Sequence, residues 1–298
     1  MSLRFRWVAI ETTTHCNSNC AVCPHGSLFR HPLTTMPVEL FEKILREIAT
    51  HHQVDEHIRF GGMGDPSCDS SLLERLRFMQ KETPNLHPHV ASNMASWKKR
   101  YSEAVVKERL LPAMRFSLLG MTPEASQRVY NRPDQGRQAC EAIDYFLACN
   151  AAAGHPVRTE LYTLLLPEDD GEVKRIQAAY WDRVDDFEVW KPHSWSNLLP
   201  HLRKRQEKRR TCSKLVNPEP VICVNGDVCP CSMDVNRDLA FGNLQHQTLQ
   251  EIYEHAAWQR LVSLNQSGDI ETEPTCTGCT FLNADNSEVL IEQKQRHS

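Results

Sequence analysis

The sequence predicts an α/β protein, a parallel sheet with helical crossovers followed by a small cysteine-rich domain. Three observations lead there. Apolar, β-branched runs alternate with amphipathic helical patterns six times before about residue 196, the arrangement that gives parallel strands joined by helices. The 298-residue length suits one barrel-sized domain with an appendage. Six of the twelve cysteines then fall from Cys212 onward, where the alternation has stopped.

In chain order, residues 7–14 form the first strand and run into a loop of three cysteines. Residues 37–51 place Val38, Phe41, Ile44, Leu45 and Ile48 on one helical face, with Met36 and Pro37 as its start. A second strand over 57–62 precedes a helix over 70–81 that turns Leu72, Leu73, Leu76 and Met79 inward. A third strand, 86–93, leads to a helix through Val105 and Leu110. Residues 114–119 make a fourth strand and 138–152 a long helix. Strands five and six, 157–166 and 186–191, flank a helix from 172 to 181. No short internal repeat or low-complexity tract interrupts the series.

Charged residues at 24% and hydrophobic ones at 40% are ordinary for a soluble globular chain. A net charge of −4 gives no global attraction to nucleic acid. The first ten residues lack a long apolar region and a small-residue cleavage site, so no secretory signal is read. No apolar run reaches the roughly 18 residues that a membrane-spanning helix needs. Twelve cysteines in such a chain point to metal or redox chemistry in a reducing cytosol, where disulfides are rare.

The chemistry centres on Cys16-Asn-Ser-Asn-Cys20-Ala-Val-Cys23, a C-x3-C-x2-C loop after the first strand. Three thiolates on a four-iron cube leave one iron open to an outside molecule. A zinc knuckle, a redox dithiol and three unrelated cysteines are the simpler alternatives. The loop resembles the signature of the radical S-adenosylmethionine (SAM) enzymes, with Val22 where an aromatic residue is usual. In that family the open iron binds the amino and carboxylate groups of SAM, and an electron cleaves SAM to a 5′-deoxyadenosyl radical. The resemblance implies a partial (β/α)6 barrel over residues 1–195.

Further matches lie at strand ends. Phe60-Gly-Gly-Met-Gly-Asp-Pro66 resembles the family's G-x-G-E-P loop, which implies that Gly62, Gly64 and Asp65 receive the SAM amino group, with Asp65 in place of Glu. Asn93 stands where relatives place an Asn beside the SAM ribose. Ser117, in Arg115-Phe-Ser117-Leu-Leu-Gly120, resembles a Ser that contacts SAM, and Arg132 an Arg that pairs its carboxylate. Each of these also reads as an ordinary turn polar group, buried hydroxyl or surface charge.

Residues 196–211 read as a basic linker, with His201-Leu-Arg-Lys-Arg-Gln-Glu-Lys-Arg-Arg210 either a solvated stretch or a phosphate-binding one. Residues 212–298 then carry C-x13-G-x4-C from Cys212 through Gly226 to Cys231, and a Cys276-Thr-Gly-Cys279 pair. Val221 to Val228 reads as a hairpin turning at Asn225-Gly226. Phe241-Gly-Asn-Leu244 and a short helical segment, Leu249-Gln-Glu-Ile-Tyr253, follow. This resembles the SPASM or shorter Twitch extension of radical SAM enzymes, which holds auxiliary [4Fe–4S] clusters. The resemblance implies one auxiliary cluster, held by Cys212, Cys231, Cys276 and Cys279, since no cysteine follows Cys279. Four cysteines with a C-x2-C pair also suit structural zinc.

Cys140 and Cys149 read as small core residues in a helix. Cys68 and Cys229 read either as buried and idle or as hydrogen donors at the barrel mouth, and Cys223 lies in the hairpin. Trp190, His193, Ser194, Trp195 and Asn197 would line a polar pocket or pack the barrel.

The resemblance implies an enzyme that uses SAM and two [4Fe–4S] clusters to abstract hydrogen from an unactivated carbon of a small polar metabolite or a peptide residue. A closed auxiliary cluster suits a substrate radical that must lose a second electron, so two-electron dehydrogenation leads. Epimerisation with a cysteine hydrogen donor, and tRNA modification through the basic run, are the alternatives. The short stretch before Cys16 leaves no room for a leader-peptide-binding domain, which favours a small molecule. The expected partners are that substrate and a reducing electron donor such as flavodoxin or ferredoxin, with no nucleic acid and no membrane.

Overall fold

The computed structural model describes residues 2–168, 171–202, 210–282 and 289–294. Most of the basic run, 203–209, lies outside the described residues. In chain order the strands are β1 (Arg4–Phe5), β2 (Val8–Ile10), β3 (Gln53–Val54), β4 (Ile58–Phe60), β5 (Pro88–Ser92), β6 (Ala113–Ser117), β7 (Arg158–Leu164), β8 (Asp186–Trp190), β9 (Val221–Ile222), β10 (Asp227–Cys229), β11 (Gly242–Asn243) and β12 (Val289–Lys294). The helices are α1 (Val38–His51), α2 (Leu72–Glu82), α3 (Lys99–Glu108), α4 (Pro123–Tyr130), α5 (Gln135–Ala152), α6 (Glu172–Tyr180), α7 (Leu249–Glu254) and α8 (Ala256–Ser267).

The six predicted strands are β2, β4, β5, β6, β7 and β8, adjacent and parallel in that order. Two additions extend the sheet. The hairpin β9–β10, with β11, joins β2 through the parallel pairs Ala9↔Val221 and Ile10↔Ile222. At the far edge β12 runs antiparallel to β8. Both edges of the parallel sheet are therefore covered by chain from beyond residue 220, which removes two strands' worth of unpaired backbone.

Burial alternates along β4, β6 and β7. Met114 and Phe116 of β6, and Thr159, Leu161 and Thr163 of β7, are buried, as are Ile58 and Phe60 of β4. These face the helices, where Phe41, Ile44, Leu45 and Ile48 of α1 and Leu72, Leu76 and Met79 of α2 join one apolar core. Each such side chain removed from water contributes about 1.5–3 kcal/mol. The alternate residues, Arg59, Arg115, Ser117, Glu160 and Tyr162, are only half-buried. The face turned away from the core is thus polar and partly reached by solvent, and an α/β barrel builds its site at the C-terminal ends of such strands.

The structure differs from the sequence reading at some boundaries. Residues 12–14 leave the sheet because their backbone pairs instead with the loop at 34–36, Met36 N–H donating to Thr12 O at 2.8 Å and Thr14 N–H to Thr34 O at 2.8 Å. Helix α4 was not anticipated, although Thr122 caps it and Pro123 occupies its first turn. The two-residue strands β1 and β3 are too short to show a period, and α8 and β12 also went unread.

Candidate functional site

The cysteine loop leaves the C-terminal end of β2 and is held from three sides. From the α4–α5 corner, Asn131 Nδ2 donates to Asn19 O at 2.8 Å, Arg132 Nη1 to Asn17 O at 3.3 Å, and the Gln135 amide to the Ser18 hydroxyl. Ala21 N–H donates to Val129 O at 2.8 Å. From β5, Asn93 Nδ2 donates to Asn17 Oδ1 at 2.9 Å and lies 4.0 Å from Cys16 Sγ. From the opposite side, Trp195 Nε1 donates to Val22 O at 2.8 Å. The three cysteines are free thiols, close enough to influence one another. Burial pushes the Cys16 thiol up to about 12, with the charges of Asp65, Cys23 and Cys68 adding to it. Burial also raises Cys20, with Cys23 and Cys16 adding, and Cys23. Thiols in such surroundings give up their protons when a metal replaces them.

The glycine loop after β4 packs directly beneath. Asp65 N–H donates to His15 O at 2.9 Å. A Cβ on Gly64 would lie 2.2 Å from Thr13 O and 2.7 Å from His15 O, so only glycine allows this approach. The Asp65 carboxylate is an anchor: Oδ1 accepts from Ser67 N–H (2.9 Å), Ser67 Oγ (2.6 Å) and Ser92 Oγ (2.9 Å), and Oδ2 from Asn93 N–H (2.7 Å). A carboxylate has about four acceptor positions, two on each oxygen, so Oδ2 keeps one for a further donor. Gly62, Gly64, Asp65, Asn93 and Arg132 are thereby brought together around the cysteine loop, while Ser117 stands at the C-terminal end of β6, opposite Tyr162.

The solvent-reached face holds a charged group that the sequence reading missed. Arg115 Nε donates to Glu160 Oε2 at 2.7 Å, and its Nη2 lies 3.3 Å from Glu188 Oε2. Glu160 Oε2 also meets His89 Nε2 at 3.1 Å, and Glu188 Oε2 accepts from Trp190 Nε1 at 2.8 Å. The Arg115 guanidinium lies over Trp190 and Tyr162, 5.5 and 5.9 Å from their ring centroids. Despite burial, His89 and Arg115 hold the Glu160 carboxyl well below its ordinary range. Burial lowers His89, and lowers His57, stacked on it at 4.6 Å, to about 3. The Oε1 atoms of Glu160 and Glu188 receive no hydrogen bond among the described residues. A signal existed in the sequence, a charged residue at an inner position of each of three successive strands, Arg115 in β6, Glu160 in β7 and Glu188 in β8.

Beside the cysteine loop a cavity of about 320 Å³ is walled by Val22, Leu119, Val129, Leu164 and Leu166. The buried Thr163 hydroxyl lines it and has no hydrogen-bond partner among the described residues.

In the C-terminal part, Cys212, Cys231, Cys276 and Cys279 come together. Burial pushes Cys231 up to about 12, with Cys212 and Cys279 adding. Burial raises Cys276 too, with Cys231, Cys279 and Cys212 adding. Among the described residues no group of three or more His, Cys, Asp or Glu is arranged to hold a single metal ion. The hairpin turns at Asn225-Gly226, Gly226 taking the left-handed φ of +84° that such a turn requires. Cys229 and Cys223 are buried with their sulfurs 3.8 Å apart, whereas Cys68 is half-buried beside Cys16. Cys140 and Cys149 pack half-buried against the main core. Of the two readings of the segment from Trp190 to Asn197, pocket lining or packing, the contacts of His193 and Ser194 are packing ones. His193 stacks on Phe281 at 5.8 Å, and Ser194 Oγ donates to Thr280 Oγ1 at 3.3 Å.

Residues 190–280 match the SPASM family, described as an iron–sulfur cluster-binding domain. No curated protein sequence matches the chain. Among solved structures, BtrN in complex with AdoMet and 2-DOIA superposes with a TM-score of 0.67 at 15% identity, covering 97% of this chain and 100% of that one. SuiB of Streptococcus suis bound to the precursor peptide SuiA gives 0.67 at 14%, over 93% of this chain and 70% of that one. Native anSMEcpe with bound AdoMet gives 0.65 at 12%, over 96% and 92%. At these identities the likeness is one of fold.

Proposed function

We propose, from the radical SAM fold and the SPASM iron–sulfur domain that this chain carries, that it is an enzyme abstracting hydrogen from an unactivated carbon of a small polar substrate. The overall reaction would be a two-electron dehydrogenation, with SAM and two [4Fe–4S] clusters as cofactors. The observation that carries the reading is the grouping of the cysteines, three on one loop and four in the C-terminal domain. Free thiols, half-buried except for the buried Cys279, that crowd one another are a donor set that fits iron–sulfur clusters. Cys16, Cys20 and Cys23 would hold a cluster with one iron left for SAM, and that cluster would supply the electron for SAM cleavage. Cys212, Cys231, Cys276 and Cys279 would occupy every iron of the second cluster, leaving it electron exchange but no position for substrate.

The chain's own residues bind and orient. The open position on Asp65 Oδ2 suits the SAM ammonium, and the apolar cavity beside Val22, with the Thr163 hydroxyl, suits a purine. Arg132, held by a single bond to Asn17, would turn to the SAM carboxylate. Asn93 and Ser117 lie at neighbouring strand ends for the sugar. On the solvent-reached face, Glu160 and Glu188 each present an oxygen able to accept from a substrate hydroxyl or amine, and Arg115 fixes both carboxylates. The match to a structure holding AdoMet and 2-DOIA supports the small-substrate form of this reading, and the equal TM-score of SuiB bound to a precursor peptide supports a peptide residue as its second form.

Turnover in D2O tests the reaction type. A dehydrogenation product is two mass units lighter than the substrate and takes no solvent hydrogen at the reacting carbon. A product of unchanged mass in H2O, one unit heavier in D2O and lost in Cys68→Ala or Cys229→Ala, would mark an epimerase instead.

A further inference from the structure

We infer that Glu11 and Arg237 form a positioning pair through which the auxiliary domain sets the geometry of the glycine loop, so that SAM affinity depends on a residue of the C-terminal domain. The inference rests on that loop being the SAM-binding one.

Glu11 stands at the end of β2, just before the cysteine loop, and its carboxylate is almost dry, with the side chain 4% exposed. One oxygen, Oε1, accepts from Met63 N–H at 2.9 Å, in the middle of the glycine loop. The other, Oε2, accepts from Arg237 Nη2 at 3.0 Å and from Val224 N–H at 3.4 Å. The carboxylate therefore joins two segments, the glycine loop and the hairpin of the auxiliary domain, that share no direct hydrogen bond among the described residues. Gly62 is shaped to this side chain, since a Cβ there would lie 2.8 Å from Glu11 Oε1.

Arg237 is held as tightly from its own side. Its side chain is 6% exposed, its Nη1 donates to Asn225 Oδ1 at 3.0 Å, and its φ of +59° is one that a non-glycine residue adopts only when its surroundings require it. In a site this dry the attraction between the two charges is strong, and the hydrogen bonds on both oxygens of Glu11 and on both terminal nitrogens of Arg237 fix the pair. Moving the hairpin must move Glu11, and moving Glu11 must move Met63 N–H and the backbone on either side. That backbone includes Asp65, whose remaining acceptor position is proposed for SAM. The simpler role, a bolt that only holds two parts of the fold together, would leave SAM affinity unchanged whenever the protein stays folded and loaded.

The test uses the anaerobically reconstituted holoenzyme, with radiolabelled SAM as the probe in equilibrium binding and with iron counted in parallel. Arg237→Gln and Glu11→Gln are each expected to weaken SAM binding about tenfold, within the 5- to 150-fold range of coupled sites. The double variant should be no weaker than either single one, because both act through one contact. Arg237→Lys, which keeps the charge with fewer donors, should fall between wild type and Arg237→Gln. It also serves as the deciding variant if the Gln forms lose iron. Wild-type SAM affinity in an iron-loaded Arg237 variant, or single effects that add in the double variant, would overturn the inference. Failure of the wild type to bind SAM would overturn the functional reading beneath it instead.

Discussion

Replacing Asp65 tests how the glycine loop is held. The carboxylate accepts two backbone N–H bonds, from Ser67 and Asn93, and two hydroxyl bonds, from Ser67 and Ser92. In Asp65→Ala the hydroxyls can rotate to other partners, but the two backbone donors cannot. Each orphaned donor costs about 1–3 kcal/mol, so the substitution should destabilise by about 4 kcal/mol, a large part of a typical margin of 5–15 kcal/mol. Asp65→Asn keeps one oxygen and should cost about half as much. Urea unfolding of the metal-free protein, followed by tryptophan fluorescence, reads both values from the midpoint shift. A loss under about 1 kcal/mol for Asp65→Ala, or an Asn variant no better than Ala, would refute the anchoring role.

Two further outcomes follow from the same geometry. In Gly64→Ala the new Cβ falls 2.2 Å from Thr13 O, so the cysteine loop must move, and about four of about eight irons should be lost on reconstitution; full loading would contradict this. Burial lowers His57 to about 3 against an ordinary value of 6.5, so between those values the unfolded chain binds a proton that the folded chain refuses. Stability should therefore fall as pH drops from 6.5, by up to about 1 kcal/mol per unit, and His57→Phe should flatten that slope in pH-dependent urea unfolding.

Local signals carried most of the fold. The six parallel strands and their helices were legible because each writes its own period of apolar residues, and the cysteine loop because its three thiols are neighbours in sequence. The Asn225-Gly226 hairpin and the helix at Leu249 were legible from turn chemistry and a short apolar pattern. What escaped depends on closure of the chain in space. Glu11 and Arg237 meet across 226 positions, and the Arg115, Glu160 and Glu188 group assembles only once β6, β7 and β8 are in register. Helix α4 had a readable Thr-Pro start, yet its role, bracing the cysteine loop through Val129 and Asn131, is visible only in the folded chain. Arg132, expected beside SAM, bonds the cysteine loop at Asn17 in the structure described here.

The central claim is that two separate cysteine sets hold two iron–sulfur clusters, one of them open to SAM. Iron and zinc analysis of the anaerobically reconstituted protein, beside a Cys16→Ala, Cys20→Ala, Cys23→Ala variant, tests it most directly. The wild type should hold about eight irons and cleave SAM when reduced, and the variant should keep about four and cleave none. Stoichiometric zinc on the C-terminal cysteines after anaerobic purification, or SAM cleavage that survives loss of the three loop thiols, would contradict it.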